Sequence, residues 1–327
     1  MEYFLLSTRE IRIEGVVDYD RRRTGTYQIL RKLFSLPLLR SLLPLVRRVA
    51  GVIEAPGRVS FQAIPGISSH AQDCQGLTII SANMWHDWPQ HRRTEERLEA
   101  FARLVDEHKA DVLLLQEVAR TTHFLADRWL SQRLGMAYVY SRANGHLKGI
   151  GFEEGLAVFS RYPLSQPVLR QLSPVENQFA HRLALGIQVE SPCGNFQAFS
   201  VHLSLAGKQN ARETAHLANW VQDVSGESLA LVGGDFNAGE DSRQIKKLQG
   251  NWLDTFRQIN PFADGTTHEL RWPWGKALRR ERLDYIFLKA KMNHWKVVDA
   301  RHLKTAGKEH SDHRAVLLRL APVRIPL

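Results

Sequence analysis

Short apolar runs closed by polar or turn-forming residues alternate with stretches of helical spacing through most of this chain. Leu77 to Ala82 is such a run and ends at Asn83. Arg92 to His108 then places Leu98, Phe101 and Val105 on one helical face, and Asp111 to Leu115 is a second buried run ending at Gln116-Glu117. The plan repeats further on. Phe196 to Val201 ends at His202, Gln209 to Val224 reads as a helix with Leu217, Val221 and Val224 inward, and Ser228 to Val232 leads to Asp235. Runs too short for a helix, apolar on both faces and closed by glycine or polar residues, predict strands buried on both sides. Each unit delivers two polar groups at strand ends, at positions 83 and 117 and at 202 and 235. Two strand-helix-strand units packed face to face would gather all four.

The stretch Gly233-Gly234-Asp235-Phe236-Asn237 carries the most chemistry. Alternation along an extended segment points Asp235 and Asn237 one way and Phe236 back toward the core. A carboxylate and a carboxamide so placed suit Mg²⁺ or Mn²⁺, which take oxygen ligands. By itself the same stretch reads equally well as an Asp/Asn turn after a strand.

Further strands are predicted over Gly155 to Ser160, Leu183 to Glu190, Leu283 to Leu288 and Ala315 to Leu320. Asp284 lies inside an otherwise apolar run, where an unpartnered acid is costly. His313, in Ser311-Asp312-His313 before the last strand, is its natural partner, and an acid behind it would make it more basic, as a general base requires.

Composition is that of an ordinary globular protein, 43% hydrophobic and 24% charged over 327 residues, enough for a sizeable core. The net charge of +10 is unevenly spread. Residues 21–50 hold eight Arg/Lys and no acid, whereas residues 51–327 carry only +5, so the main body does not describe a surface that coats DNA. The basic segment also holds the apolar patch Leu33 to Val46, broken by Arg40, Pro37 and Pro44 and too short to span a bilayer. It reads as an amphipathic element docked on the rest of the chain, or as a peripheral contact with anionic lipid. The expected organisation is a basic, leucine-rich extension over 1–50, with a short hairpin from Glu10 to Tyr19 and Gly25 to Leu30, a Pro/Gly-rich linker over 51–75, and a catalytic domain over 76–327. Cys74 and Cys193 offer neither a disulfide framework nor a metal-ligand spacing and leave the redox compartment open. The N-terminal residues lack the pattern of a secretory signal, so the cytoplasm is the expected location, at a membrane surface if residues 21–50 dock there.

Taken together, Ser81-Ala82-Asn83, Leu115-Gln116-Glu117, Gly155 to Pro163, Val201-His202, Gly234-Asp235-Phe236-Asn237, Arg282-Leu283-Asp284-Tyr285 and Ser311-Asp312-His313 resemble the endonuclease/exonuclease/phosphatase superfamily. This is the fold of pancreatic-type deoxyribonuclease, the abasic-site endonucleases and the bacterial neutral sphingomyelinases. The resemblance spans residues 77–320, and the seven matches stand in the family's order. It implies an α/β fold, a four-layer α/β/β/α sandwich of two mostly antiparallel sheets flanked by helices. It further implies Glu117 as principal metal ligand, with Asn83 contributing to or supporting that site and Asp312 near the ion or its water. Asp235 and Asn237 would position water and phosphate or hold a second ion. His202 would neutralise a phosphate oxygen or protonate the leaving group, His313 with Asp284 would be the complementary base or phosphate ligand, and Arg182 would face the phosphate.

Phosphodiester hydrolysis needs neutralised nonbridging oxygens, an in-line water and a stabilised leaving oxygen, and this set supplies each. His86, Asp87, His91, His123, His146 and His268 are scattered and read as surface or structural groups. Trp85, Trp88, Trp272 and Trp274 read equally as cleft lining or as packing. The expected activity is a divalent-metal-dependent phosphodiesterase using Mg²⁺ or Mn²⁺. The absence of Thr-Lys after Gln116-Glu117 lowers the abasic-site subgroup, and the basic leucine-rich segment favours a lipid or small phosphodiester. A nuclease on DNA or RNA is the alternative, and a catalytically silent binding module the second.

Overall fold

The computed structural model describes residues 9–11, 59–62, 74–88, 90–173, 181–205, 207–271, 277–289, 295–305 and 309–323. In chain order the strands are β1 (Arg9–Ile11), β2 (Val59–Gln62), β3 (Leu77–Asn83), β4 (Val112–Thr121), β5 (Ala137–His146), β6 (Phe152–Ser160), β7 (Leu164–Gln171), β8 (Leu183–Ser191), β9 (Gly194–His202), β10 (Ala230–Asp235), β11 (Leu253–Asp254), β12 (His268–Arg271), β13 (Ala277–Glu281), β14 (Asp284–Lys289), β15 (Trp295–Leu303) and β16 (Ala315–Pro322). The helices are α1 (Thr94–His108), α2 (Ala126–Leu134), α3 (Leu147–Ile150), α4 (Gly207–Ser225), α5 (Arg243–Gln249) and α6 (Thr255–Ile259).

The strands form an eight-stranded sheet ordered β1-β2-β5-β6-β4-β3-β16-β15, a six-stranded sheet ordered β11-β14-β10-β9-β8-β7, and the separate hairpin β12-β13. All pairings are antiparallel except β3 with β4 and β9 with β10. Those two parallel pairs are the ones that need a crossover helix, and α1 and α4 supply it. Alternation along β3 shows why the layers stack. Leu77 and Ile79 join an inter-sheet core with Leu114 and Val158 of the same sheet and Leu185, Ile187, Leu231 and Ile286 of the other. Ile80 and Ala82 face outward onto Leu98, Phe101 and Val105 of α1. On the far side Phe199, Val201 and Val232 pack against Leu217 and Val221 of α4. Three apolar layers between four structural ones make the expected sandwich, each fully buried aliphatic side chain contributing about 1.5–3 kcal/mol.

Two glycines set how closely the strands approach. A Cβ on Gly233 would lie 2.6 Å from Leu114 of the facing sheet, and one on Gly234 would lie 2.0 Å from the carbonyl oxygen of Val201 on β9. Beneath the strand ends, Gln116 donates to Ser200 Oγ (2.9 Å), which donates to the Leu115 carbonyl (2.8 Å), a polar link between the sheets.

Several expectations change. α1 begins at Thr94 rather than Arg92, because Arg93 sits in the left-handed region with φ of 54°. β4 runs past Glu117 to Thr121 through an irregularity between Leu115 and Val118. Val59–Gln62, inside the stretch expected to be a linker, is a strand paired with β5, so the large sheet reaches upstream of residue 76. Arg9–Ile11 pairs with it in turn. The expected hairpin of residues 10–30 falls mainly, and the apolar patch of 33–46 entirely, outside the described residues. Cys74 and Cys193, whose spacing offered no disulfide framework, form a disulfide joining the approach to β3 with the β8–β9 turn. Spacing hid it because the partners are 119 residues apart and meet only when the sheets stack.

Candidate active site

The parallel pairs place Asn83 beside Gln116 and Asp235 beside His202 in register, with Asp284 opposite Asp235 at the start of β14. The site therefore lies at the end of the sandwich where β3, β9 and β10 finish and where the β4 pairing is interrupted between Leu115 and Val118. Glu117 reaches it through the β4 irregularity, with φ of 53°, an unusual conformation for a non-glycine residue that re-aims the carboxylate. Asn237 is also left-handed, with φ of 48°. Its backbone N–H donates to Asp235 Oδ1 at 2.9 Å and its side-chain amide to the Leu203 carbonyl at 2.8 Å, so the turn reading of this segment holds.

Asn83 stands between the acids. Its amide nitrogen donates to Glu117 Oε1 and to Asp235 Oδ2, both at 3.1 Å, while its oxygen accepts from the Trp85 N–H at 2.9 Å. Glu117 Oε2 accepts from the His86 N–H at 3.2 Å and lies 3.5 Å from His86 Nε2. Among the described residues, two groups offer three or more ligand atoms within 4.8 Å of one another: Asp235, Asp284 and His313, and His268, Asp312 and His313. Glu117 belongs to neither; Asn83 and His86 are its neighbours. Both Glu117 and Asp312 act on the buried Arg97 charge, and both are partly exposed, at 19% and 42% of their side chains. The hard carboxylate oxygens of Glu117 and Asp312 are of the type that suits a Mg²⁺-type ion, Asn83 turns its amide nitrogen rather than its oxygen toward Glu117, and both cysteines are tied up in the disulfide.

The other half of the site is sunk in the protein. His202 Nε2 lies 3.7 Å and His313 Nε2 4.0 Å from Asp235 Oδ2, and His313 Nδ1 lies 2.8 Å from Asp284 Oδ2. Burial and the neighbouring acid Asp284 push Asp235 up to about 7. Burial alone would lower His313, but Asp284 and Asp235 outweigh it and push it up to about 10. His202 moves the opposite way, well below the usual histidine range, through burial and the adjacent charges of Arg182 and His313. At neutral pH one imidazole is neutral and the other protonated, on either side of one carboxyl. Arg182 acts on both His202 and Glu154, and its Nε is buried without a hydrogen-bond partner among the described residues.

Three residues were missed or discounted in the sequence. Glu154 on β6 is buried, held by Asn144, and pushed above the usual carboxyl range by burial and by Glu117, with His86 opposing. Its place in a strand between Glu153 and Gly155 gave no sign of this. His86 sits against Glu117, and its position three residues past Asn83 was the available signal. His268 is bridged to His313 across the backbone, with ring centroids 4.5 Å apart and Nε2 3.9 Å from Asp312 Oδ2. Asp87 proves structural, accepting from the Arg92 backbone and side chain. Trp85 lies under the Arg97 guanidinium, Trp88 is exposed beside Phe152, and Trp272 and Trp274 lie outside the described residues.

This sandwich, with acids, amides and histidines gathered at one end, defines a phosphoester-hydrolase scaffold. Residues 80–304 match the model of the Endonuclease/Exonuclease/phosphatase family, and the chain belongs to that family. Its members are in general divalent-metal-dependent hydrolases of phosphoester bonds. An endonuclease/exonuclease/phosphatase family protein from Leptotrichia buccalis is similar in structure, with a TM-score of 0.62 at 19% identity over 75% of this chain and 99% of that one. The human Nocturnin catalytic domain with bound sulfate gives 0.60 at 18% identity, over 76% and 94%. D. rerio TDP2 with a single-strand DNA product gives 0.58 at 17%, over 75% and 98%. No curated protein matches the sequence.

Proposed function

We propose that the protein is a metal-dependent phosphodiesterase. The observation that carries this reading is the placement of His202 and His313 at 3.7 and 4.0 Å from Asp235 Oδ2, with Asp284 against the far nitrogen of His313. A diester has a poorly stabilised alkoxide leaving group, so its cleavage benefits from an acid and a proton acceptor held apart. His313, kept protonated by Asp284, is suited to donate to a phosphate or leaving oxygen. His202, kept neutral, is suited to accept a proton or hydrogen-bond a nonbridging oxygen. The acid and base parts first expected of the two rings are exchanged on this reading, while each keeps its expected contact with a phosphate oxygen.

Asp235 orients the attacking water, with Asn237 fixing the turn that aims it, and Arg182 faces a phosphate oxygen with its planar fork. Glu117 and Asp312 would hold Mg²⁺ or Mn²⁺, with Asn83 bridging the acids behind them. Such an ion supplies charge neutralisation at the phosphate. Purified protein with Mg²⁺ or Mn²⁺, tested on sphingomyelin, phosphoinositides, RNA and single- and double-stranded DNA, should turn over a phosphodiester and lose that activity in His202→Ala. Retained activity in the variant would sink the assignment.

Single-stranded nucleic acid is the favoured second reading of the substrate, supported by the resemblance to D. rerio TDP2 with its DNA product. The disulfide favours an oxidising compartment over the cytoplasm first expected, since thiols there stay reduced. Thiol trapping of protein from its native cells would overturn this if both cysteines proved free.

A further inference from the structure

The fourth residue of each crossover helix is a buried polar one, Arg97 in α1 and Asn210 in α4. Neither faces solvent: Arg97 is 6% exposed and Asn210 0%. Arg97 Nη1 donates to the carbonyls of Met84 (2.9 Å) and Trp85 (2.8 Å), the residues directly after Asn83, and to that of His310 (3.3 Å), two before Asp312. Asn210 Nδ2 donates to the carbonyls of Ser204 (2.6 Å), two after His202, and Phe236 (2.7 Å), between Asp235 and Asn237. Glu213, one turn on, accepts from the Ser204 N–H and hydroxyl, both at 2.8 Å. Gln244 donates to Asn210 Oδ1 at 3.0 Å and fixes which way the amide points.

A donor that merely satisfied an orphan carbonyl would need one partner. Each of these two joins a pair of chain segments far apart in sequence, and both members of each pair end in the site. The pairs do not overlap. Arg97 ties the segments bearing Asn83 and Asp312, and Asn210 ties those bearing His202 and Asp235–Asn237.

We infer that Arg97 and Asn210 are separate positioning residues, Arg97 setting the cation-facing oxygens and Asn210 setting the groups that place water and phosphate. This rests on the phosphodiesterase reading. Neither residue touches substrate; each acts through the backbone it holds, much as groups behind a metal's ligands tune it.

The test compares Arg97→Met and Asn210→Ala with Val105→Ala and Leu217→Ala, which remove core volume under the same helices. Mn²⁺ binding is read by calorimetry without substrate, kcat and KM on bis(4-nitrophenyl) phosphate, and backbone exchange by hydrogen-deuterium mass spectrometry. Arg97→Met should weaken Mn²⁺ binding about tenfold, with kcat recovering at high Mn²⁺. Asn210→Ala should lower kcat roughly 10- to 100-fold with Mn²⁺ affinity and KM unchanged, and should speed exchange at 203–205 and 236–238. The core variants should lower Tm and do neither. Should a variant fail to fold, Arg97→Lys and Asn210→Ser keep one donor each and should show the same division at smaller amplitude.

If both variants behave like the core controls, or if each lowers Mn²⁺ affinity and kcat together, the inference is overturned. If the wild-type protein hydrolyses no phosphoester, the phosphodiesterase reading fails by itself. Calorimetry and exchange then still decide whether the two clamps act separately.

Discussion

The two strand-helix-strand halves share a plan and differ in what they do with charge. β3-α1-β4 ends in Asn83 and Glu117, oxygen-rich groups of which the carboxylate keeps partial access to water. β9-α4-β10 ends in His202 and Asp235, both nearly sealed and both with proton affinities displaced from their ordinary ranges. The loops match. The first half leaves β3 through Trp85, Asp87, His91 and Arg93, all left-handed and held by the Asp87–Arg92 pair and by Arg97. The second leaves β9 through a short segment pinned by Asn210 and Glu213. Exposure lets a cation shed water gradually, whereas burial makes proton position sensitive to each neighbour. On the proposed reading, one half would hold the cation and the other the proton.

Removing a carboxylate from each half should separate them most sharply. Glu117→Ala and Asp235→Ala should each cost at least about 10³-fold in kcat, within the range of the strongest single catalytic groups. Steady-state titration with Mg²⁺ should recover part of the loss in Glu117→Ala and none in Asp235→Ala; equal recovery would erase the division. Next come the rings, with His202→Ala and His313→Ala each costing about 10²–10⁴-fold.

Packing offers a comparison independent of chemistry. Gly155 on β6, in the sheet of the first half, and Gly234 on β10 of the second would each bring a Cβ within 2.0 Å of a facing carbonyl oxygen, of Ser141 and Val201. Alanine at either position should cost about 3 kcal/mol in denaturant unfolding, near the upper end for overpacking. A milder loss at Gly155 would mean that the eight-stranded sheet yields more easily than the six-stranded one.

The smallest effect has the opposite sign. The folded Asp235 carboxyl titrates near 7, above its ordinary value of 3.8, so the fold disfavours its charge increasingly as pH rises between those values. Metal-free Asp235→Asn should therefore melt higher than wild type at pH 8, by roughly 5 °C, and differ little at pH 4. His313 contributes with its own sign. Its folded value near 10 exceeds the ordinary 6.5, so its stabilisation is complete below 6.5 and is lost as pH rises through 10. A lower melting temperature for Asp235→Asn at pH 8 would place the charge penalty elsewhere.

Much of this was readable from the residues because burial on both faces leaves continuous apolar runs. Leu77 to Asn83, Leu183 to Glu190 and Ala315 to Leu320 emerged with nearly correct bounds. β5, with Arg142, Asn144 and His146 in its second half, carries no such run. β7 and β15 alternate between buried and exposed positions and lie at sheet edges, so they too escaped. Asn83, His202 and Asp235 do stand at strand ends, legible for the same reason as the strands. Those that escaped are tertiary: Glu154 and His268 acquire meaning from neighbours dozens of residues away, and Arg97 and Asn210 look like ordinary polar positions on amphipathic helices.

The Cys74–Cys193 bond closes a covalent ring around a chosen part of this site. Asn83, Glu117, Glu154 and Arg182 lie on the ring, while His202, Asp235, Asp284, Asp312 and His313 lie on the tail that follows it. The bond sits at the far end of the strands, roughly 25 Å from the residues it groups, the length of a nine-residue strand. A cut at one place in the ring would therefore leave a single molecule whose sheets stay tethered. A cut in the tail between Cys193 and His202 would leave the part bearing His202, Asp235, Asp284 and His313 with no covalent link to the part bearing Glu117.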